Sequence, residues 1–256
     1  MNTVKEKGCY PSFKEDAELL TKIQAIIKQR ATYGYRRVTA ILNQGRTLSD
    51  KQRVNHKRVY RIMKESQLLM TAPRRKPTRT HKGTIITLKS NMRWCSDGFG
   101  IHCWNGDTVY VAFSLDTCDR EAMRYIASTR GIDGAMIRDL MLETVEHRFG
   151  EPKAPHKLQW LSDNGPCYTA HKTVSFGRSL GFDICTTPPY CPESNGMAEA
   201  FVKTIKRDYA YVSDLSDAQT VLAQLPTWFD DYNEHAPHKG LKMNSPRQFL
   251  RKLTAI

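Results

Sequence analysis

The sequence predicts an α/β protein, a mixed sheet covered by helices, preceded by a small, basic, all-helical domain. Three observations carry this. The surplus of positive charge is confined to the first third of the chain, the hydrophobic period changes from helical to alternating near residue 90, and the segments beyond run as three hairpin-linked strands, then helix, strand, helix, strand, helix. The chain holds 39 Lys+Arg and 26 Asp+Glu, for a net charge of +13. Residues 1–90 contain 21 and 6 of these (+15), and the remaining 166 residues contain 18 and 20 (−2). Such asymmetry indicates a polyanion-binding module joined to something else. No apolar run approaches a membrane span and the N-terminus lacks a signal-peptide core, so a soluble, cytoplasmic protein without membrane contact is expected. Seven cysteines with no CxxC pair argue against a disulfide framework or zinc module and favour reduced, mostly buried thiols.

Leu19, Ile23, Ile26 and Ile27 recur at helical spacing over residues 16–30, and after Gly34 the pattern resumes at Val38, Ile41 and Leu42. A polar turn leads to VNHKRVYRIMKESQLL, where Asn55 is a candidate N-cap and Val59, Ile62 and Met63 form the buried stripe. Three short helices, the last strongly basic, suit a helix-turn-helix-like DNA-binding domain over residues 1–71. Its candidate DNA contacts are Arg36, Arg37, Lys57, Arg58 and Arg61, because a helix in the major groove needs cations for phosphates and forked donors for guanine edges. A merely solvated basic face is the alternative. Residues 72–90, with Pro73 and Pro77 among Arg and Lys, read as a basic linker.

The main domain is expected over residues 91–212. NMRWCSDGFGIHC, TVYVAFSLD and MRYIAS predict strands, the first two joined through Asn105–Gly106. GIDGAMIRDLMLETVEHRFG predicts a helix, HKLQWLSDNG a strand, residues 171–180 a short helix and FDICTT another strand. The Pro-rich loop PPYCPESNG then opens a helix running to Asp208. Residues 213–256 read as a C-terminal helical extension interrupted at Pro226. Trp94, Trp104, Trp160 and Trp228 are assigned to core or interface.

Three carboxylates stand out by position. Asp97 falls inside a predicted strand, where a charge is costly unless paired or bound to a cation. Asp163 ends another strand before Asn164–Gly165, which is also a good turn sequence. Glu199 lies on a helix face with Lys203 and Lys206, within about 40° at roughly 100° per residue. Taken alone, that face is an ordinary solvated Glu–Lys pair. Brought together at one end of a sheet, the three carboxylates would repel one another unless a hard divalent cation neutralised them. Two Mg²⁺ or Mn²⁺ ions can serve an in-line phosphoryl displacement, with Lys203 and Lys206 along the path of the nucleic acid.

The stretches WCSDGF, LSDNGPCY and CPESNGMAEAFVKTIKRD resemble the DDE catalytic core of retroviral integrases and their bacterial relatives. YGYRRVTAIL, NHKRVYRIMKESQLL, CDREAM and YNEHAPHKGLKMNSPRQFL resemble the transposases of bacterial two-frame insertion sequences more closely, from about Tyr33 to Leu250. Thirty-five residues lie between Asp163 and Glu199, and a basic residue follows seven positions on, as in that family. The resemblance implies a ribonuclease-H-like core in which Asp97, Asp163 and Glu199 bind two Mg²⁺ ions. It further implies that Asn195 contacts terminal nucleotides, that Lys206 grips the DNA end, and that a dimer or larger assembly forms on DNA. Asp107, Asp116 and Asp119 lie outside the motif, and Asp119–Arg120 reads as a structural pair or cap. The expected activity is DNA strand cleavage and strand transfer. A nuclease of the same fold without strand transfer and a non-catalytic DNA-binding repressor are the alternatives. The loop before Glu199 leaves open whether the carboxylates converge without DNA.

Overall fold

The computed structural model describes residues 13–47, 53–71, 87–187 and 195–254. Most of the basic linker and the loop over residues 188–194 lie outside the described residues. The chain divides into two compact units, Met1–Pro77 and Thr78–Ile256.

In the first unit, helices α1 (Phe13–Gln29), α2 (Tyr35–Thr47) and α3 (His56–Glu65) bury Leu19, Ile23, Val38, Val59, Ile62 and Met63 in one core. Asn55 caps α3 as the sequence predicts, its side-chain oxygen accepting from the Lys57 N–H at 2.9 Å. The buried amide of Asn43 closes a two-bond clamp on Val54, donating to its carbonyl at 3.0 Å and accepting from its N–H at 2.8 Å. This ties α2 to the entry of α3 and so sets how α3 is presented.

Two candidate DNA contacts also pair within this unit. Arg58 Nε and Arg61 Nη2 both donate to the Asp16 carboxylate of α1, at 2.7 and 2.6 Å. The guanidiniums hold the Asp16 carboxyl below its ordinary range although burial raises it. These arginines fasten α3 to α1. Spacing along α3 cannot reveal an acid 42 residues upstream of Arg58.

The second unit holds a five-stranded sheet ordered β3-β2-β1-β4-β5, from β1 (Arg93–His102), β2 (Thr108–Asp116), β3 (Ala122–Ser128), β4 (Leu158–Ser162) and β5 (Phe182–Thr186). β1, β2 and β3 are antiparallel, whereas β4 and β5 run parallel to β1. Strand alternation sends successive residues to opposite faces. One face carries Trp94, Leu158 and Trp160 against α4 (Gly134–Phe149) and α6 (His171–Ser179). The other carries Cys95, Phe99 and Leu161 against α7 (Gly196–Asp208) and α8 (Ala218–Glu234). A single turn of helix, α5 (Pro166–Thr169), follows β4, and α9 (Pro246–Thr254) closes the unit.

Several local expectations change. Helix α8 runs straight through Pro226, because burying Val221, Leu225, Trp228, Phe229 and Tyr232 outweighs a mid-helix proline cost of about 3 kcal/mol. Within the C-terminal extension, Leu215, Val221, Leu225, Phe229 and Ala236 share the core of the sheet. Asp119 pairs with Arg148 of α4, not with Arg120, which takes a left-handed backbone (φ 63°) in the tight β2–β3 turn. Trp104 is 71% exposed at the tip of the β1–β2 turn, unlike the three buried tryptophans. Among the described cysteines, Cys95 and Cys103 are buried and Cys118, Cys167 and Cys185 half-buried, all free. No helix among the described residues is long and apolar enough to cross a membrane.

Candidate active site

β1 places Asp97 at mid-strand, directly opposite Phe113 of β2. It is half-buried, and its Oδ1 accepts from the Gly98 N–H at 2.8 Å. Burial pushes its carboxyl up to about 6, with the charges of Asp163 and Glu199 adding to the rise and the Gly98 hydrogen bond opposing it. Three elements remote in sequence thus meet electrostatically at Asp97.

Asp163 follows β4 immediately and is exposed. Its Oδ1 accepts from the Gly165 N–H at 3.0 Å, so the turn reading and the site reading hold for the same residue. A Cβ on Gly165 would stand 3.0 Å from that oxygen, which is why a glycine suits the position. Asn164 donates to the Thr187 carbonyl at 2.8 Å and anchors the turn to the end of β5.

Glu199 sits in the first turn of α7, whose Ala198, Phe201 and Ile205 are buried against the sheet. Its Oε2 takes a 3.0 Å salt bridge from Lys203, the bland pairing expected of that helix face. Among the described residues no three His, Cys, Asp or Glu side chains are arranged to hold a metal ion. Asp97, Asp163 and Glu199 are therefore close enough to feel one another without forming a closed cage. Lys206 lies 5.8 Å from the ring centroid of Phe99, which follows Asp97 on the same face of β1.

Asn195, expected to meet terminal nucleotides, is instead 5% exposed. Its Nδ2 donates to the Ser96 carbonyl at 3.3 Å, and its buried Oδ1 has no hydrogen-bond partner. The side chain thereby ties the start of α7 to the residue before Asp97. Sequence reasoning missed Ser96 and Tyr168, whose hydroxyls lie 2.9 Å apart in the core behind Asp97. It also passed over Asn164, for which the Asp-Asn-Gly turn was the available signal. Arg36 and Lys57 are exposed, whereas Arg37 is half-buried with its guanidinium 3.5 Å from the Tyr33 ring centroid.

The aspartates outside the motif are structural. Asp116 accepts from the Asn91 N–H at 2.7 Å, the Trp94 indole at 3.1 Å and the Cys118 N–H at 2.7 Å. Arg148 joins Asp119 to Glu121, and Arg247 of α9 reaches Glu121 at 2.9 Å. Burial raises the Glu121 carboxyl, but hydrogen bonds from His147 and Arg247 and the Arg148 charge prevail and hold it at about 2. Asp107 is held by the Asn105 amide at 2.8 Å in the exposed turn.

Comparison with known proteins identifies the same two regions. The family model of an HTH-like domain matches residues 14–77, and two models of an integrase core domain match residues 88–192 and 180–246. The Escherichia coli transposase InsD for insertion element IS2A/D/F/H/I/K is 44% identical over 243 residues, covering 93% of this chain and 80% of that protein. Transposase InsD for insertion element IS2-9 of Escherichia coli strain K12 has the same identity, with 78% of its length covered. Among solved structures, a simian T-cell lymphotropic virus intasome in complex with PP2A regulatory subunit B56 gamma matches with a TM-score of 0.55 and 18% identity. That match covers 89% of this chain and 73% of the other, and it shows a common fold.

Proposed function

This chain belongs to the integrase-core transposases of bacterial insertion sequences, and we propose that Asp97, Asp163 and Glu199 are the carboxylates with which it holds its metal. It is a DNA transposase, a polynucleotidyl transferase with a ribonuclease-H-like core and an HTH-like DNA-binding domain, of a family that depends on divalent metal. The observation that supports the triad is that the Asp97 carboxyl, raised first by burial, is raised further by the charges of both Asp163 and Glu199. All three residues offer oxygen alone, the donor type a hard cation prefers. Two Mg²⁺ or Mn²⁺ ions bound there would neutralise the carboxylates and stabilise the entering and leaving oxygens of the phosphodiester.

The chain's own residues do the positioning. The Asp163 turn is locked by Gly165 and Asn164, and α7 is tied to β1 through Asn195. Glu199 joins the other carboxylates by releasing Lys203, and the freed ammonium becomes a phosphate contact. Lys206, beside Phe99, steadies the same DNA end. Of the candidate contacts in the HTH-like unit, Arg36 and Lys57 are exposed and meet phosphate. Because both element ends are handled together, the working form is a dimer or larger assembly on DNA.

Asp163→Asn tests this reading. End cleavage and joining of a pre-cut end in Mg²⁺ should fall to background while end binding persists. Undiminished cleavage by the variant would remove Asp163 from the site.

A further inference from the structure

We propose that a groove at the start of the parallel strands receives a single DNA strand leading away from the carboxylates. The proposal rests on the transposase reading above. The groove has a volume of about 620 Å³. Register sets Arg93 of β1, Gln159 of β4 and Asp183 of β5 side by side across its floor, and Arg93 Nε donates to Gln159 Oε1 at 2.7 Å. Alternation puts Arg93, Cys95 and Asp97 on one face of β1, and Gln159 and Leu161 on that face of β4, with Asp163 next in line. The groove therefore opens on the same sheet face as the proposed site, four residues or about 13 Å from Asp97 at the usual strand rise. A smaller cleft, lined by Arg93, Cys95, Leu161, Asn195 and Met197, continues it toward the start of α7.

Its chemistry suits a nucleic-acid strand. Lys89, Arg93 and Lys157 bring three cations against the single carboxylate of Asp183. Leu88, 88% exposed, and Met92, 50% exposed, stand among them as apolar surface for bases. Cations that track a backbone beside apolar side chains that meet bases make a sequence-tolerant single-strand path. A peptide filling this groove would have to be strongly acidic, whereas the DNA held at Asp97 is a polyanion that is already within reach. At the stacked rise of about 3.4 Å per nucleotide, the distance to Asp97 spans at most about four nucleotides, and fewer in an extended strand. The groove accordingly takes the strand that flanks the scissile phosphate, beyond the duplex element end.

The full chain is tested in EDTA, so that the outcome does not depend on the metal site. The probe is an element-end duplex with or without a ten-nucleotide dT flank, carrying 5-iodouracil within the flank for photo-crosslinking. Crosslinks are expected in the peptides holding Met92 or Lys157. The flank should tighten binding about tenfold, and K89E/K157E should abolish that gain. The double variant should also lower the salt slope by about 1.4, at about 0.7 for each single-strand phosphate left without its lysine. Crosslinks confined to other peptides, or a flank gain retained by the folded double variant, would overturn the proposal. So would a double variant that changes self-association alone, since the groove would then be a protein contact. D163N separates the two readings, because a failed triad leaves the crosslinks intact and a failed groove leaves the cleavage defect intact.

Discussion

Asp97→Asn should stabilise the metal-free protein while removing its activity. The Asp97 carboxyl rises from 3.8 to about 6 in the folded state, through burial first and then the charges of Asp163 and Glu199. At about 1.4 kcal/mol per unit this corresponds to at most about 3 kcal/mol, and screening of a half-buried group reduces it to roughly 1–2 kcal/mol. A raised folded-state value means that this contribution is intact below pH 3.8 and is lost as pH rises through 6. The wild type is thus penalised at neutral and alkaline pH, and a neutral amide, which can still accept from the Gly98 N–H, escapes the penalty. Urea denaturation in EDTA should show Asp97→Asn more stable at pH 8 by that amount, with about half of the gap or more left at pH 5 and nearly all of it gone at pH 3.5. Added Mg²⁺ should narrow the gap at pH 8 by stabilising only the wild type. A variant no more stable at pH 8, or one with the same advantage at pH 3.5, would refute the picture of Asp97 as a carboxylate penalised by burial and by its charged neighbours.

Two further outcomes test the surrounding structure. Lys57→Ala should weaken DNA binding and lower the salt slope by about one without changing the melting temperature, whereas Arg58→Ala should lower the melting temperature by removing one of the two arginines that hold Asp16. If both variants melt like the wild type, the Asp16 fastening carries no stability. Asn233→Ala removes a buried side chain that donates to the Ala122 carbonyl and accepts from its N–H, both at 2.9 Å. Leaving those two backbone groups unpaired should cost roughly 2–4 kcal/mol in a denaturant titration, and a loss below about 1 kcal/mol would mean that water replaces the amide.

The order of elements and the cap at Asn55 are written in the sequence, and so is the nomination of the three carboxylates. Period, turn chemistry and spacing are local properties, and this chain has an informative set: alternation around Asp97, Asp-Asn-Gly after β4, and an amphipathic α7. The motif resemblance linked carboxylates that periodicity alone could only nominate. Tertiary structure decided the rest, because the deciding partners lie far apart along the chain. Arg58 and Arg61 read as cations of α3 alone until the fold brings Asp16 to them, and Asp119 waits for Arg148 rather than its neighbour Arg120. Pro226 breaks a helix on propensity alone, and the aliphatic and aromatic surface buried around it keeps α8 whole. Asn195 reads as a polar loop residue, yet packing of α7 on β1 buries it against Ser96. A sequence states which groups a segment carries, but burial and pairing are sums over neighbours that only the folded chain brings together.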